Sequence, residues 1–172
     1  MAIVVEDGTG LADAETYVSV ADCAAYLNVR GKAAWGLLAT DAKEASLRLA
    51  ADYLDAVYGP RLQGYRLVVT QALLWPRTDV VFDNVWWDPA PLPVPLVRAC
   101  CEAAALSGAG TDLFLPLDRG GRVVEKLEIV GPITERTRWE GSAPSGISYP
   151  AISRYMNLLT GSGTLIGSVV RG

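Results

Sequence analysis

The sequence predicts a mainly α fold: a small helical bundle with a short β-hairpin or extended arm and a C-terminal tail. Three observations carry this. Apolar residues recur at helical spacing in stretches around 20–29, 41–58 and 95–106. After Gly120-Gly121 the period changes, and RVVEKLEIVGPITERTRWE alternates loosely with many Val, Ile and Thr residues. Finally, 172 residues that are 51% apolar suffice for one domain burying roughly 70% of its unfolded surface without a metal or disulfide.

Each element has a local reason. Residues 1–16 form a polar, glycine-bearing lead-in without helical periodicity. Ser19 is a good N-cap for VADCAAYLNV, with Asp22 at the N3 position of a capping box. Val20, Cys23, Ala24 and Leu27 make that helix's apolar stripe, and Gly31 ends it. After a short AAWGLL segment, Thr40 or Asp41 caps a helix over about 41–58. Its Glu44, Arg48, Asp52 and Asp55, spaced four, four and three apart, form a charge ladder read as a solvent face. Leu47, Leu49, Ala50, Ala51, Tyr53, Leu54, Val57 and Tyr58 occupy its other faces, and Gly59-Pro60 stops it. The apolar run LVVTQALLW at 67–75 is ambiguous between helix and strand and is read as a helix ending before Pro76. Residues 77–95 read as a long loop with prolines at 89, 91, 93 and 95. Pro95 suits the first turn of the next helix, whose buried side is Leu96, Cys100, Ala103 and Ala104, before Gly108 and Gly110. Two strands or extended arms at 120–140 and a short helix in YPAISRYMNLL complete a domain spanning 1–159. Residues 160–172 are a linker-like tail with apolar spots at Leu165, Ile166, Val169 and Val170.

Composition narrows the chemistry. With no histidine, Ser-His-Asp and Cys-His catalysis and every imidazole zinc site are ruled out. Three cysteines, two of them adjacent at 100 and 101, make neither a disulfide framework nor a four-thiolate site. They read as small buried thiols in a reducing compartment. Run 99–106 is interrupted by Glu102, and no stretch approaches the ~18 apolar residues of a membrane span. MAIVVEDG lacks a basic segment, and Glu6 and Asp7 argue against a signal peptide. The net charge of −4 gives no overall attraction to nucleic acid or membrane. Counting glycine and omitting tyrosine, about 57% of residues are apolar against a usual ~45–50%. That excess points to surface hidden in other subunits.

Arg61, Arg66 and Arg77 share a window without any acid. They read first as a solvated loop and helix edge, and second as a phosphate-facing patch. Asp79, Asp83, Asn84 and Asp88 lack the oxygen spacing, central glycine and terminal glutamate of a calcium loop. Asp118-Arg119-Gly120-Gly121-Arg122 lacks the strand and helix of a phosphate loop, so a tight turn is favoured. Trp86 and Trp87 read as one ring packed inward and one covering a loop. The alternatives are a subunit contact and base stacking on single-stranded nucleic acid. No carboxylate pair, nucleophile–base couple or metal cluster stands out, which implies neither enzyme nor cofactor.

EDGTGLADAETYVSVADCAAYL, AKEASLRLAADYLDAVYG, QALLWPRT, VPLVRACCEAA, GGRVVEKLEIVGPI and the late YPAI together resemble head–tail connector, or adaptor, proteins of tailed bacteriophages. That sequence group also carries the label of a DnaT-like single-stranded-DNA-binding protein. The resemblance covers about 3–159, its most specific parts being EDGTG…YVS and QALLWPRT; loop 77–95 is longer than the resemblance leads one to expect. It implies a helical adaptor forming a ring, twelvefold by the same resemblance, beneath a portal protein. Such a ring extends the DNA channel without binding DNA specifically and docks the next neck or tail component. It belongs to the virion neck and, during assembly, to the host cytoplasm. The alternative is a single-stranded-DNA-binding replication protein. A DNA binder needs a basic groove interleaved with aromatics, and the acidic balance favours the connector. In that reading the tail gains by docking its four hydrophobes on a neighbouring subunit or the portal.

Overall fold

In the computed structural model, residues 3–82, 85–114, 123–129, 134–139 and 149–160 are described. The chain divides into two compact units, one of residues 1–113 with 150–172 and one of residues 114–149. The first unit is helical: α1 (Val20–Asn28), α2 (Thr40–Tyr58), α3 (Val94–Gly108) and α4 (Pro150–Met156). Between α2 and α3 run the two-residue strands β1 (Tyr65–Arg66), β2 (Arg77–Thr78), β3 (Val81–Phe82) and β4 (Val85–Trp86), paired antiparallel as β1–β2 and β3–β4. The second unit is the antiparallel hairpin of β5 (Val123–Ile129) and β6 (Thr134–Trp139). Its register runs from Val123↔Trp139 to Ile129↔Thr134, with an irregularity between Val123 and Glu125. The mainly helical class and the hairpin of the sequence reading both stand.

Helix α3 is the hub, packing on α1, α2 and α4. Leu96, Ala99, Cys100, Cys101, Glu102, Ala103 and Ala104 are all buried. Buried positions on successive residues, 100° apart, mean a helix enclosed on more than one side. The predicted stripe Leu96, Cys100, Ala103 and Ala104 is thus only part of its buried surface. Small Ala and Cys side chains let three helices approach it closely. Leu27 from α1, Leu47 and Leu54 from α2, and Ile152 and Met156 from α4 are also buried.

The N-cap half of the expected capping box forms: the Ser19 hydroxyl accepts the Asp22 N–H at 3.1 Å, and the Asp22 carboxylate accepts from that same hydroxyl at 2.6 Å. Helix α2 differs at its start. Its N-cap is Ala39, without a side-chain cap, so Thr40 and Asp41 lie inside the first turn rather than capping it. There Asp41 favours the positive end of the helix dipole. Leu49 and Val57, expected on buried faces, are exposed.

The larger correction concerns 67–75, which is not a helix. Strands β1 and β2 bracket residues 67–76 as a loop, and the Trp75–Pro76 peptide is cis. The Gln71 side chain substitutes for regular backbone pairing. Its carbonyl accepts Val68 N–H at 2.9 Å, and its amide nitrogen donates to Leu73 O at 2.8 Å and Pro76 O at 3.0 Å. The buried polar groups of such a loop must be paired, and one buried glutamine, Gln71, pairs three backbone groups here. The supposed loop 77–95 contains β2, β3 and β4 before its proline run; Asp83 and Asn84 lie outside the described residues.

Candidate functional site

The two motifs most specific to the resemblance are structural. In EDGTG, the Glu6 carboxylate is 2% exposed and accepts three backbone N–H groups, from Gly8 and Gly10 at 2.9 Å and from Leu11 at 3.0 Å. Gly8 has φ +98°, and a Cβ there would lie 1.6 Å from Ala90 O. Only glycine therefore lets this turn rest on the proline run before α3. In QALLWPRT, Ala72 N–H donates to Leu11 O at 2.9 Å, tying the second motif to the first. Leu74 N–H donates to Asp55 at 2.9 Å; Trp75 N–H reaches the Tyr17 oxygen at 3.3 Å, and Tyr17 O–H donates to Asp55 at 2.5 Å. Burial pushes the Asp55 carboxyl and the Tyr17 phenol above their ordinary pKa values.

Asp55 therefore departs from the solvent ladder predicted for α2. Arg48 departs as well: it ion-pairs with Glu44 at 3.5 Å and with Glu15 at 2.7 Å, which ties α2 to the N-terminal segment. The Arg48 guanidinium and the Val4 N–H hold the Glu15 carboxyl below its usual range.

Beside these motifs lies a cleft of about 670 Å³. Val80 is buried, and its carbonyl accepts Trp87 N–H at 2.9 Å. The Trp87 indole meets Phe82 edge-to-face, with centroids 5.5 Å apart and planes at 76°, and Nε1 donates to Pro91 O at 3.1 Å. Val81, Phe82 and Trp87 line the cleft together with Pro93 and Pro95. Leu158, Leu159 and Thr160, which follow α4, contribute further lining, and Gln63 and Asn157 add polar groups. The Leu62–Thr160 bridge and Gln63 N–H to Leu159 O at 3.3 Å hold these segments together. Apolar walls with few polar groups suit an apolar side chain or a flat ring.

The predicted site residues separate. Trp87 lines the cleft, whereas Trp86 is 71% exposed. Arg77 donates from Nε to Gln63 O and from Nη2 to Gly64 O, both at 2.6 Å, and from Nη1 to Leu74 O at 3.2 Å. It serves as a loop staple rather than a solvent-facing cation, and burial lowers its pKa. Arg66 is exposed opposite Arg77 in the β1–β2 register. Arg61 is exposed and lies over the Tyr58 ring at 5.0 Å. Leu165, Ile166, Val169 and Val170, and the turn at 118–122, lie outside the described residues.

Sequence reasoning missed a second cluster. Glu102, 1% exposed, accepts Tyr26 O–H at 3.0 Å and ion-pairs with Lys32 and, at 3.5 Å, with Arg154. It thereby links α1, α3 and α4. The available signal was one carboxylate in an otherwise Ala/Cys/Leu run, since a charge buried among apolar neighbours must be paired. The three cysteines are buried. Burial pushes Cys100 up to about 12, and a hydrogen bond with Cys101 raises Cys23 further, so both are protonated thiols at neutral pH. Among the described residues, no group of three or more acidic or cysteine side chains is placed to hold a metal ion.

A family model described as "Putative DnaT-like ssDNA binding protein" matches residues 1–172. The chain belongs to that family. In this member, EDGTG and QALLWPRT, together with Leu11, Tyr17 and Asp55, form one hydrogen-bonded assembly. No curated protein and no solved structure matches the chain.

Proposed function

We propose that the protein is a virion structural component, a head–tail connector. Copies of it form a ring, twelvefold by resemblance, below a portal protein. The ring continues the DNA channel and receives the next neck or tail component; it assembles in the host cytoplasm and ends in the virion neck. The observation that carries this reading is exposed apolar surface in two separate parts of the chain. Val29 and Leu37, 80% and 88% exposed, border the first; Tyr65, Val69, Val85 and Trp86 belong to the second, with Val69 at 92%. Exposed apolar patches mark interaction surfaces, and two different patches are what a head-to-tail ring requires. The role is architectural, not catalytic, in keeping with a histidine-free chain and protonated, buried thiols.

Single-stranded-DNA binding is the second reading, favoured by the family's description. Exposed Tyr65 and Trp86 with exposed Arg61 and Arg66 are the groups that would stack on bases and meet phosphates. Against it stands the net charge of −4. Native mass measurement of the protein with its portal partner tests the choice. The connector reading expects a closed ring bound to the portal. A protein that stays monomeric with portal, yet binds single-stranded oligonucleotide at nanomolar concentration with a steep salt dependence, overturns it.

A further inference from the structure

We infer that copies of this chain meet head to tail through charge: the basic cluster of Arg30, Lys32 and Arg154 on one copy receives the acidic outer side of α2 from the next. The basic side is built around Glu102, 1% exposed. Lys32 and Arg154 ion-pair with its carboxylate, and the Tyr26 hydroxyl donates to it at 3.0 Å. Tyr26 and Tyr155 meet through their hydroxyls at 3.1 Å. Arg30 stacks on the first ring, 3.7 Å from its centroid, and Arg154 on the second at 4.6 Å. Among the described residues of the cluster, one carboxylate thus faces three cations. Those cations stay within reach of a partner: Lys32 and Arg154 keep 40% and 57% of their side-chain surface, and Arg30 is exposed. Val29, 80% exposed, adjoins Arg30 and adds an apolar contact.

The complement lies on α2. Asp41, Ala45, Leu49, Asp52 and Ala56 are exposed, and at about 100° per residue they fall within one stripe roughly 80° wide. Asp41 and Asp52 stand about 16 Å apart along the helix, with Leu49, 46% exposed, between them. On the flank of this stripe Arg48 is shared by Glu15 and Glu44, which leaves the two aspartates' charge to a partner. A basic face and an acidic face on different elements of one chain make a heterologous contact, the kind that closes into rings. Nucleic acid suits the cluster less, because a polyanion would meet a chain of net charge −4 with Glu102 at the base of the cluster. The inference rests on the connector reading and names the faces that meet in its ring; the Tyr65–Trp86 surface is left for the portal or the next component.

Carbodiimide coupling tests it, because this zero-length reagent joins a lysine amine only to a carboxylate it touches. An equal mixture of isotope-labelled and unlabelled full-length protein is treated, and linked peptides are identified by mass. Lys32 should join Asp41 or Asp52 in peptides with one labelled and one unlabelled half, which marks a link between copies. A dimer linked elsewhere, or no linked dimer, overturns the inference. Charge reversal gives an independent reading, with circular dichroism confirming the fold of each variant. Arg30→Glu/Ala34→Glu and Asp41→Lys/Asp52→Lys should each weaken self-association in sedimentation by roughly tenfold, and mixing the two variants should restore it. Unchanged association in either variant overturns the inference. So does loss of single-stranded-oligonucleotide binding in Arg30→Glu/Ala34→Glu at unaltered association, which would assign the cluster to nucleic acid. A closed ring on the portal without the Lys32 link refutes these faces while the connector reading stands; a missing ring with the link present refutes the connector reading instead.

Discussion

Asp52 and Asp55 sit three residues apart on α2, yet their environments differ. Asp52 is exposed, while Asp55 receives the Tyr17 hydroxyl and the Leu74 amide. Removing Asp55 strands both donors, and a buried unsatisfied donor costs about 1–3 kcal/mol. Asp55→Ala should therefore lower unfolding free energy in urea by roughly 2–4 kcal/mol, and Asp52→Ala by no more than about 0.5 kcal/mol. The pH dependence has a definite sign. Burial raises the folded-state pKa of Asp55 above 3.8, so the folded protein binds this proton more tightly than the unfolded chain. The resulting stabilisation is full below about pH 3.8 and is lost as pH rises through the raised folded value. Subtracting the Asp55→Ala stability from that of the unsubstituted protein should give a difference that falls on raising the pH through this window. Glu102 supplies a second residue-level test. Its carboxylate joins three helices through Tyr26, Lys32 and Arg154, and Glu102→Gln should cost about 1–3 kcal/mol in the same urea measurement.

At the scale of elements, α2 and the 67–76 loop obey different rules. Helix α2 has one buried side, so its substitutions should divide by face. Leu54, buried, should cost roughly 2–5 kcal/mol on truncation to alanine. Val57, three residues on but exposed, should cost no more than about 0.5 kcal/mol. Equal thermal shifts for the two variants would mean that α2 is rotated from the orientation described. The loop instead depends on one side chain, the amide of Gln71. Gln71→Leu should destabilise the protein by roughly 2–4 kcal/mol despite similar volume, because three backbone groups lose their partner. Circular dichroism with denaturant titration measures both effects.

For the whole molecule, charge and exposed apolar surface set the expectations. Among the described residues, six basic side chains, Arg30, Lys32, Lys43, Arg48, Arg77 and Arg154, have hydrogen-bond partners within the protein, which reduces what is available to a phosphate backbone. Binding to single-stranded oligonucleotide at 150 mM salt should stay in the non-specific range, a Kd of roughly 10⁻⁴–10⁻⁶ M; fluorescence anisotropy across a salt series checks it.

By itself the sequence determined the mainly helical class, the Ser19 cap, the course of α2, the proline-led start of α3 and the β5–β6 hairpin. Each is written in local spacing, capping or turn chemistry, which acts over a few residues. Tertiary structure decided the rest. LVVTQALLW is apolar and ambiguous between helix and strand, but pairing of β1 with β2 and the Gln71 amide hold it as a loop. Glu6, Asp55 and Glu102 look like surface charges in a string of letters. Glu6 and Glu102 are buried and Asp55 half-buried, because their donors arrive from residues 2–5 positions away in the first case and from across the fold in the others. The cleft was legible only through Trp87, since Phe82, Pro93 and Leu159 meet there from segments that no sequence period connects. Local rules fix how each segment is shaped; which carboxylate is buried, and which apolar side chain is left exposed, depends on what packs against it.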